Sequence, residues 1–197
     1  MAQLEFRYTV MGNAKSAEVA RHAYALKEGN RTPLIAKPGI DTKAGNWITS
    51  RIPGLKVEAD LVYPPTLDLY TEVTSRQRKS TIDEIIIDEA QFSTSEQIDQ
   101  LYQVAWLVGV PVICYGLKHD FQSRLFPGSK RLIELADKLT ELEKIKRCEC
   151  GEKASFNVRK IGGNYTFEGQ QVVIDDQSEV EYVSICPKCF LKAGGLR

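Results

Sequence analysis

An unbroken isoleucine triplet, Ile85 to Ile87, restricts the fold of this 197-residue chain more than any other feature of its sequence. Successive side chains of a β-strand point to opposite faces, so a strand that is apolar without alternation is typical of a sheet covered on both faces. Helical patterns that could supply this cover alternate with short apolar runs. The strand-like segments are 2–8, 32–37, 83–87 and 110–115, and the helical segments are 15–28, 66–77 and 94–108. This alternation predicts an α/β fold with a doubly wound, mostly parallel sheet, in which ligands bind beyond the carboxyl ends of the strands.

The first strand leads into a loop that ends in Lys15-Ser16, where the first helix begins. A strand, such a loop and a helix are the parts of a phosphate-binding P-loop, in which backbone N–H groups and the helix dipole hold phosphates and the lysine reaches the terminal ones. The usual pattern is G-x-x-x-x-G-K-[ST], and here Thr9 and Ala14 occupy its two glycine positions. The motif therefore predicts a phosphate site with an altered loop.

Two carboxylates, Asp88 and Glu89, follow the isoleucine triplet directly. A carboxylate at the end of a buried strand, downstream of a P-loop, is typical of a residue that holds Mg²⁺ in phosphoryl transfer. On the bare motifs an alternative has equal weight: Lys15 and Ser16 begin a solvated helix, and the two acidic residues cap the next one.

Four of the five cysteines form two close pairs near the C-terminus, Cys148-Glu-Cys150 and Cys186-Pro-Lys-Cys189. Two such pairs match the spacing of a structural zinc site, which takes four thiolates in a tetrahedron and leaves no position for water. Four free buried thiols are the alternative. The fifth cysteine, Cys114, lies in an apolar run and is expected to pack in the core.

The sequence pattern changes near residue 140, from alternating strands and helices to cysteine pairs and short β-prone runs. We therefore expect a P-loop α/β nucleotide-binding domain over 1–140 and a small zinc-binding lobe over 141–197. In a lobe with little apolar volume, the metal would supply much of the folding free energy.

The charge balance argues against a nucleic-acid binder. Lys plus Arg and Asp plus Glu each number 26, so the formal net charge is zero and the basic footprint of such proteins is missing. The longest apolar runs are shorter than the roughly 20 residues of a membrane span. The N-terminal residues lack the pattern of a secretion signal, so we expect a cytoplasmic protein.

Five motifs occur in an order that resembles the type II thymidine kinases along nearly the whole chain. They are the Lys15-Ser16 loop, Asp88-Glu89-Ala90-Gln91-Phe92, Tyr115-Gly116-Leu117 with Asp120-Phe121-Gln122, Phe126-Pro127-Gly128-Ser129, and the cysteine pairs with Tyr182-Val183-Ser184-Ile185-Cys186. The resemblance implies a transferase of nucleoside salvage that moves the γ-phosphoryl group of ATP to the 5′-hydroxyl of thymidine, giving dTMP for DNA synthesis. It also implies Mg²⁺, a structural Zn²⁺, a homotetramer, and a lasso loop over roughly 163–182 that covers the substrate.

The resemblance assigns roles to individual residues. Glu89 would be the general base, Asp88 would hold Mg²⁺ with Ser16, and Lys15 would neutralise the transferred phosphate. The residues implied on the nucleotide side are Gly12, Asn13, Ala14, Lys15, Ser16, Asp88, Gln91 and Arg51. Those implied on the nucleoside side are Met11, Leu117, Phe121, Phe126 and Tyr182, and for the aromatic ones plain core packing has comparable weight.

Two other functions are compatible with parts of the sequence. The departures from the family pattern, Thr9, Ala14 and Lys43 in place of an arginine, all lie on the nucleotide side, which favours a catalytically weak or inactive nucleoside-binding paralog as the first alternative. A zinc-ribbon nucleic-acid binder is the second, and only the cysteines support it.

Overall fold

The computed structural model describes residues 3–40, 45–143, 146–169, 171 and 180–196. The loop residues Asp41 to Lys43, and much of the expected lasso, lie outside the described residues. The first half of the chain forms β1 (Leu4–Thr9), α1 (Lys15–Glu28), β2 (Pro33–Pro38), β3 (Trp47–Thr49), β4 (Lys56–Glu58), β5 (Leu61–Tyr63), α2 (Leu69–Gln77) and β6 (Glu84–Ile87). The second half forms a 3₁₀ turn (Ala90–Phe92), α3 (Ser95–Gln103), a π-helical turn (Val104–Val108), β7 (Val112–Leu117), α4 (Pro127–Leu135), β8 (Lys138–Glu141), β9 (Phe156–Ile161), β10 (Asn164–Thr166), β11 (Val180–Ile185) and α5 (Pro187–Lys192).

Six strands form one sheet in the order β5-β2-β6-β7-β1-β8, and every pairing in it is parallel. The predicted α/β fold with a parallel sheet is confirmed. Parallel strands end at the same edge, so the segments after β1, β6 and β7 meet there. The loop that ends in Lys15-Ser16 and the motifs that begin at Asp88 and Asp120 lie in these segments.

The isoleucine triplet lies in β6, near the middle of the sheet, and is buried on both faces as predicted. Ile85 and Ile87 pack in a cluster with Phe6 and Leu101, and Ile86 packs on the other face in a cluster with Val19. All three are at most 1% exposed. Helices therefore cover both sides of the strand, which explains why it carries no polar side chain between Glu84 and Asp88.

Two helices differ from their predicted bounds. The predicted helix 66–77 begins later, at Leu69, because the Asp68 side chain caps it by accepting a hydrogen bond from Thr71 N. The predicted helix 94–108 is α-helical only to Gln103 and continues as a π-helical turn that Gly109 closes with a positive φ of 80°. Local apolar periodicity does not distinguish α from π hydrogen bonding.

The C-terminal lobe contains a three-stranded antiparallel sheet in the order β10-β9-β11. Its core is small: Val158, Ile185 and Phe190 pack with two of the cysteines, and the ring of Phe156 stacks on that of Phe190 at 4.1 Å. Elsewhere β8 pairs with β1, so the main sheet extends to Glu141. Within the described ranges, no helix has both the length and the apolar composition needed to span a bilayer.

Candidate active site

A cavity of about 450 Å³ lies where the carboxyl ends of β1, β6 and β7 face the C-terminal lobe. Most of the residues singled out from the sequence line it. On the phosphate side these are Gly12, Ala14, Lys15, Ser16, Arg51, Glu89 and Gln91, and on the other side Met11, Leu117, Phe121, Phe126 and Tyr182. The tertiary structure thus brings together residues from all five motifs.

Lys15 lies between the two carboxylates that follow β6. Its Nζ is 2.8 Å from Glu89 Oε1 and also donates a short hydrogen bond to Asp88 Oδ1. Lys15 and Asp88 are almost fully buried, whereas the Glu89 side chain is 23% exposed toward the cavity. Lys15, Asp88 and Glu89 therefore meet at this edge of the sheet, and the ammonium of Lys15 is hydrogen-bonded to both carboxylates.

The charges of this cluster shift one another's protonation. Burial disfavours the charged form of each group, yet the two carboxylates raise the pKa of Lys15 above its ordinary value. The ammonium of Lys15 likewise outweighs burial at Glu89 and holds the pKa of that carboxyl below its ordinary value. Burial and the charge of Glu89 raise the pKa of Asp88. The two carboxyl shifts differ in sign because both groups share one ammonium and repel each other.

The 10–14 loop, which joins β1 to α1, presents the start of a 14-residue helix to the cavity. Gly12 and Ala14 both have a positive φ, 71° and 59° respectively. Ala14 is the N-cap of α1 and makes no side-chain capping bond. Unpaired N–H groups and the helix dipole make such a terminus suited to an anion.

Side chains distant in sequence hold this loop. Met11 N donates to Asn157 Oδ1 at 2.8 Å, and Met11 O accepts from Ser184 Oγ at 2.9 Å. Asn13 does not reach the cavity, because its Nδ2 donates to Thr9 Oγ1 at 2.7 Å and its Oδ1 accepts from the backbone N of Lys146. The hydrogen bonds of Met11 thus hold the loop against β9 and β11 of the lobe. The hydroxyl of Thr9 accepts a hydrogen bond that a glycine at this position could not.

Arg51 reaches the phosphate side of the cavity from the segment 50–55, which connects β3 and β4. Its Nη1 lies 3.5 Å from the position that a Cβ on Gly12 would take. A cation at this distance from the loop is placed to contact a bound phosphate.

Aromatic rings form the opposite wall. The Phe121 ring meets the Tyr182 ring edge-on, with 6.4 Å between the ring centres. The Arg159 guanidinium lies 3.9 Å from the centre of the Phe121 ring. Phe126 meets Phe92 edge-on at 5.6 Å. Phe121 and Phe126 are buried and also line the cavity. Core packing and a position at the nucleoside side, the two interpretations of these residues from the sequence, are therefore compatible.

Several site residues were missed by the sequence reasoning, notably Asn157, Arg159 and Gln171. Asn157 and Arg159 are buried polar residues at alternate positions of β9, so they share a face of the strand. That spacing was a usable signal. Gln171 donates from Nε2 to Asp120 Oδ2 at 2.8 Å. The sequence around Gln171 offers no comparable signal.

The four paired cysteines converge, with all their sulfur atoms within 4.8 Å of one another. Burial disfavours the Cys148 thiolate, but backbone hydrogen bonds from Cys150 and Cys186 outweigh it and lower its pKa to about 7. Four convergent thiols, one of them readily ionised, fit a tetrahedral metal such as zinc. Cys114 lies apart, buried in the sheet core.

Comparison with known proteins agrees with this geometry. The family model described as thymidine kinase matches residues 2–190. A thymidine kinase of Photobacterium profundum is 38% identical over 197 residues, which cover 99% of this chain and all of that protein. One of Vibrio cholerae is 39% identical over the same span, and one of Enterobacteria phage T4 is 38% identical over 190 residues, or 95% of each chain.

Proposed function

The chain belongs to the thymidine kinase family and is therefore a phosphotransferase, and we propose that it transfers the γ-phosphoryl group of ATP to the 5′-hydroxyl of thymidine. One observation carries this proposal: Lys15 and Glu89 line one side of a cavity whose other side is aromatic, and the buried Asp88 pairs with Lys15 directly behind them. Phosphoryl transfer needs positioning, neutralisation of phosphate charge and an acceptor for the hydroxyl proton. Each need has a candidate group here.

Glu89 is the proposed general base. Its lowered pKa keeps it ionised near neutral pH, and its side chain is the one carboxylate of the pair that is exposed to the cavity. Lys15 Nζ donates a hydrogen bond to Oε1 of Glu89. A phosphate at the 10–14 loop would draw the ammonium away, and Oε1 would then be available to take the 5′-hydroxyl proton.

The phosphate side combines the N-terminus of α1 with the cations of Lys15 and Arg51. These groups would hold the phosphates of ATP and orient the γ-phosphoryl group. When bound, Mg²⁺ neutralises phosphate charge, and the Asp88 carboxylate with the Ser16 hydroxyl offers the oxygen ligands that it prefers.

The aromatic side is the proposed nucleoside pocket. Phe121, Phe126 and Tyr182 offer ring faces and edges to a flat base, and Met11 and Leu117 complete an apolar lining. Beyond the pocket, we assign residues 141–197 to a lobe held by a structural zinc. We assign the active form to a cytoplasmic homotetramer of nucleoside salvage.

A coupled assay of ADP release with thymidine and MgATP tests this function. We expect thymidine-dependent turnover, with thymidine preferred over deoxycytidine. Binding of thymidine in calorimetry without any ADP release would instead support a nucleoside-binding paralog, and binding of neither substrate would contradict both.

The sharpest variant is Glu89→Gln, which keeps the shape of the side chain and removes the proton acceptor. We expect kcat to fall by roughly 100-fold or more, because general base catalysis typically contributes that much, while the Kd for thymidine changes little. Glu28→Gln, an exposed residue at the end of α1, is the matched control. A Glu89→Gln enzyme within about tenfold of the parent would show that the base is another group.

A further inference from the structure

Gln91 is a buried side chain at the candidate site, 1% exposed, and lies between the base and the end of β7. Its Nε2 donates a short hydrogen bond to Glu89 Oε2. Its Oε1 accepts from the backbone N of Leu117 at 3.0 Å. Both ends of the amide are therefore engaged by the protein.

The direction of the amide is set by chemistry. The backbone N–H of Leu117 can only donate, so it must face Oε1, which turns the NH₂ group toward Glu89. An NH₂ group can only donate, so it stabilises the ionised carboxylate in one rotamer. The side chain of Gln91 thus relays the orientation of a β7 peptide to Glu89.

Gly116 provides the space for this arrangement. A Cβ on Gly116 would lie 2.8 Å from Gln91 Oε1 and 3.3 Å from Gln91 N, closer than ordinary contact allows. β7 therefore contributes both the hydrogen bond and the room for the amide.

The backbone at Glu89 makes such support necessary. Glu89 has φ 51° and is followed by the single 3₁₀ turn that carries Gln91. A side chain projecting from this conformation has no regular helix or strand to orient it.

We propose that Gln91 is a positioning residue for Glu89, fixing Oε2 so that Oε1 faces the acceptor hydroxyl. This inference rests on the proposed kinase function. It gives Gln91 a role on the acceptor side, in place of the nucleotide-binding role implied by resemblance. Because Leu117 also lines the nucleoside pocket, the end of β7 sets the place of the nucleoside and the aim of the base together.

The test separates chemistry from binding in the full-length protein. Gln91→Met has a similar volume and donates no hydrogen bond. We expect kcat to fall by roughly 10- to 100-fold, the effect of a misplaced catalytic group, with the Kd values of thymidine and MgATP within about twofold of the parent. Gly116→Ala should lower kcat in the same direction by displacing an intact Gln91.

Gln97→Met is the matched control for loss of a buried glutamine. Gln97 caps α3 and donates to Pro64 O at 2.9 Å, away from the cavity. We expect this variant to lower the Tm and leave kcat unchanged. A second control is a double-mutant cycle with Glu89→Asp, whose shorter carboxylate cannot meet Gln91. Adding Gln91→Met to the Glu89→Asp enzyme should therefore change its kcat by less than about twofold.

The outcomes are distinct. A parent without thymidine-dependent ADP release overturns the kinase function and this inference together. An active parent with a Gln91→Met kcat within twofold overturns the inference alone. A loss confined to the Kd of either substrate would show that Gln91 binds a ligand.

Discussion

Ala14 and Glu89 both have left-handed backbone conformations, with φ 59° and 51°, and both line the cavity. This region costs a residue with a Cβ about 1 kcal/mol or more. Such strain is typical of functional sites, where surrounding structure imposes the conformation. At Glu89 the strained residue carries the reactive carboxylate, whereas at Ala14 the side chain has no visible use.

Replacing Ala14 with glycine should therefore stabilise the protein. We expect Ala14→Gly to raise the free energy of unfolding by about 1 kcal/mol, because glycine adopts φ 59° without steric cost. A lower KM for MgATP should accompany it, since a Cβ beside the phosphates is removed. Urea denaturation followed by circular dichroism measures the first effect and the coupled assay the second.

Thr9→Gly, the other glycine position of the P-loop pattern, is the contrasting variant. Thr9 ends β1 and accepts a hydrogen bond from Asn13, so glycine should destabilise there. If Ala14→Gly is no more stable than the parent, the Ala14 conformation carries no strain.

At the scale of elements, two strands of the lobe hold the loop of the sheet domain. Asn157 on β9 and Ser184 on β11 bind the N–H and C=O of Met11, and Asn157 Nδ2 also donates to His119 O at 3.2 Å. All these contacts are buried or partly buried. The lobe therefore fixes the loops that follow both β1 and β7.

Removing this contact should affect stability and nucleotide binding together. We expect Asn157→Ala to lower the free energy of unfolding by about 1 to 3 kcal/mol, because Met11 N–H loses its buried partner, and to raise the KM for MgATP. Thermal unfolding and steady-state kinetics measure both. Asn164→Ala, an exposed residue on β10 of the same sheet, is the control, and equal behaviour of the two variants would refute a linking role for Asn157.

At the scale of the whole molecule, we propose that metal binding by the four cysteines stabilises the lobe that contacts the loops after β1 and β7. Among the described residues of the lobe, three large apolar side chains are buried in its cluster, Val158, Ile185 and Phe190, and Phe156, Phe167 and Val183 are partly buried around them. So small a core needs a metal or a disulfide for independent stability. Loss of the lobe would release Met11 and open the nucleoside pocket at Tyr182.

We accordingly expect one zinc ion per chain in protein purified without chelator. Cys150→Ser should reduce the zinc content and unfold the lobe, with loss of thymidine binding as a consequence. Cys114→Ala, a buried cysteine of the sheet, should lower the Tm through lost packing and keep its zinc. Elemental analysis that finds no zinc while the lobe remains folded would rule out this role of the cluster.

The alternation of elements and the burial of Ile85 to Ile87 follow from local sequence, because strand and helix periods are set by near neighbours. Local sequence also predicted that Lys15, Asp88 and Glu89 follow strand ends, and the spacing of the cysteines indicated a metal site. Periodicity did not predict that α2 starts at Leu69 or that a π-helical turn follows Gln103. A cap decides where a helix begins, and the type of hydrogen bond leaves no mark on the apolar pattern.

The sequence by itself determined the class of fold, the residues that gather at the sheet edge and the four metal-ligand candidates. Only the tertiary structure decided that Lys15 is hydrogen-bonded to both carboxylates, that Gln91 bridges Glu89 and the backbone N of Leu117, and that Asn157 and Ser184 hold Met11. The physical reason is separation along the chain: Met11 meets partners 146 and 173 residues away. Such hydrogen bonds depend on how whole elements pack, and no local period encodes them.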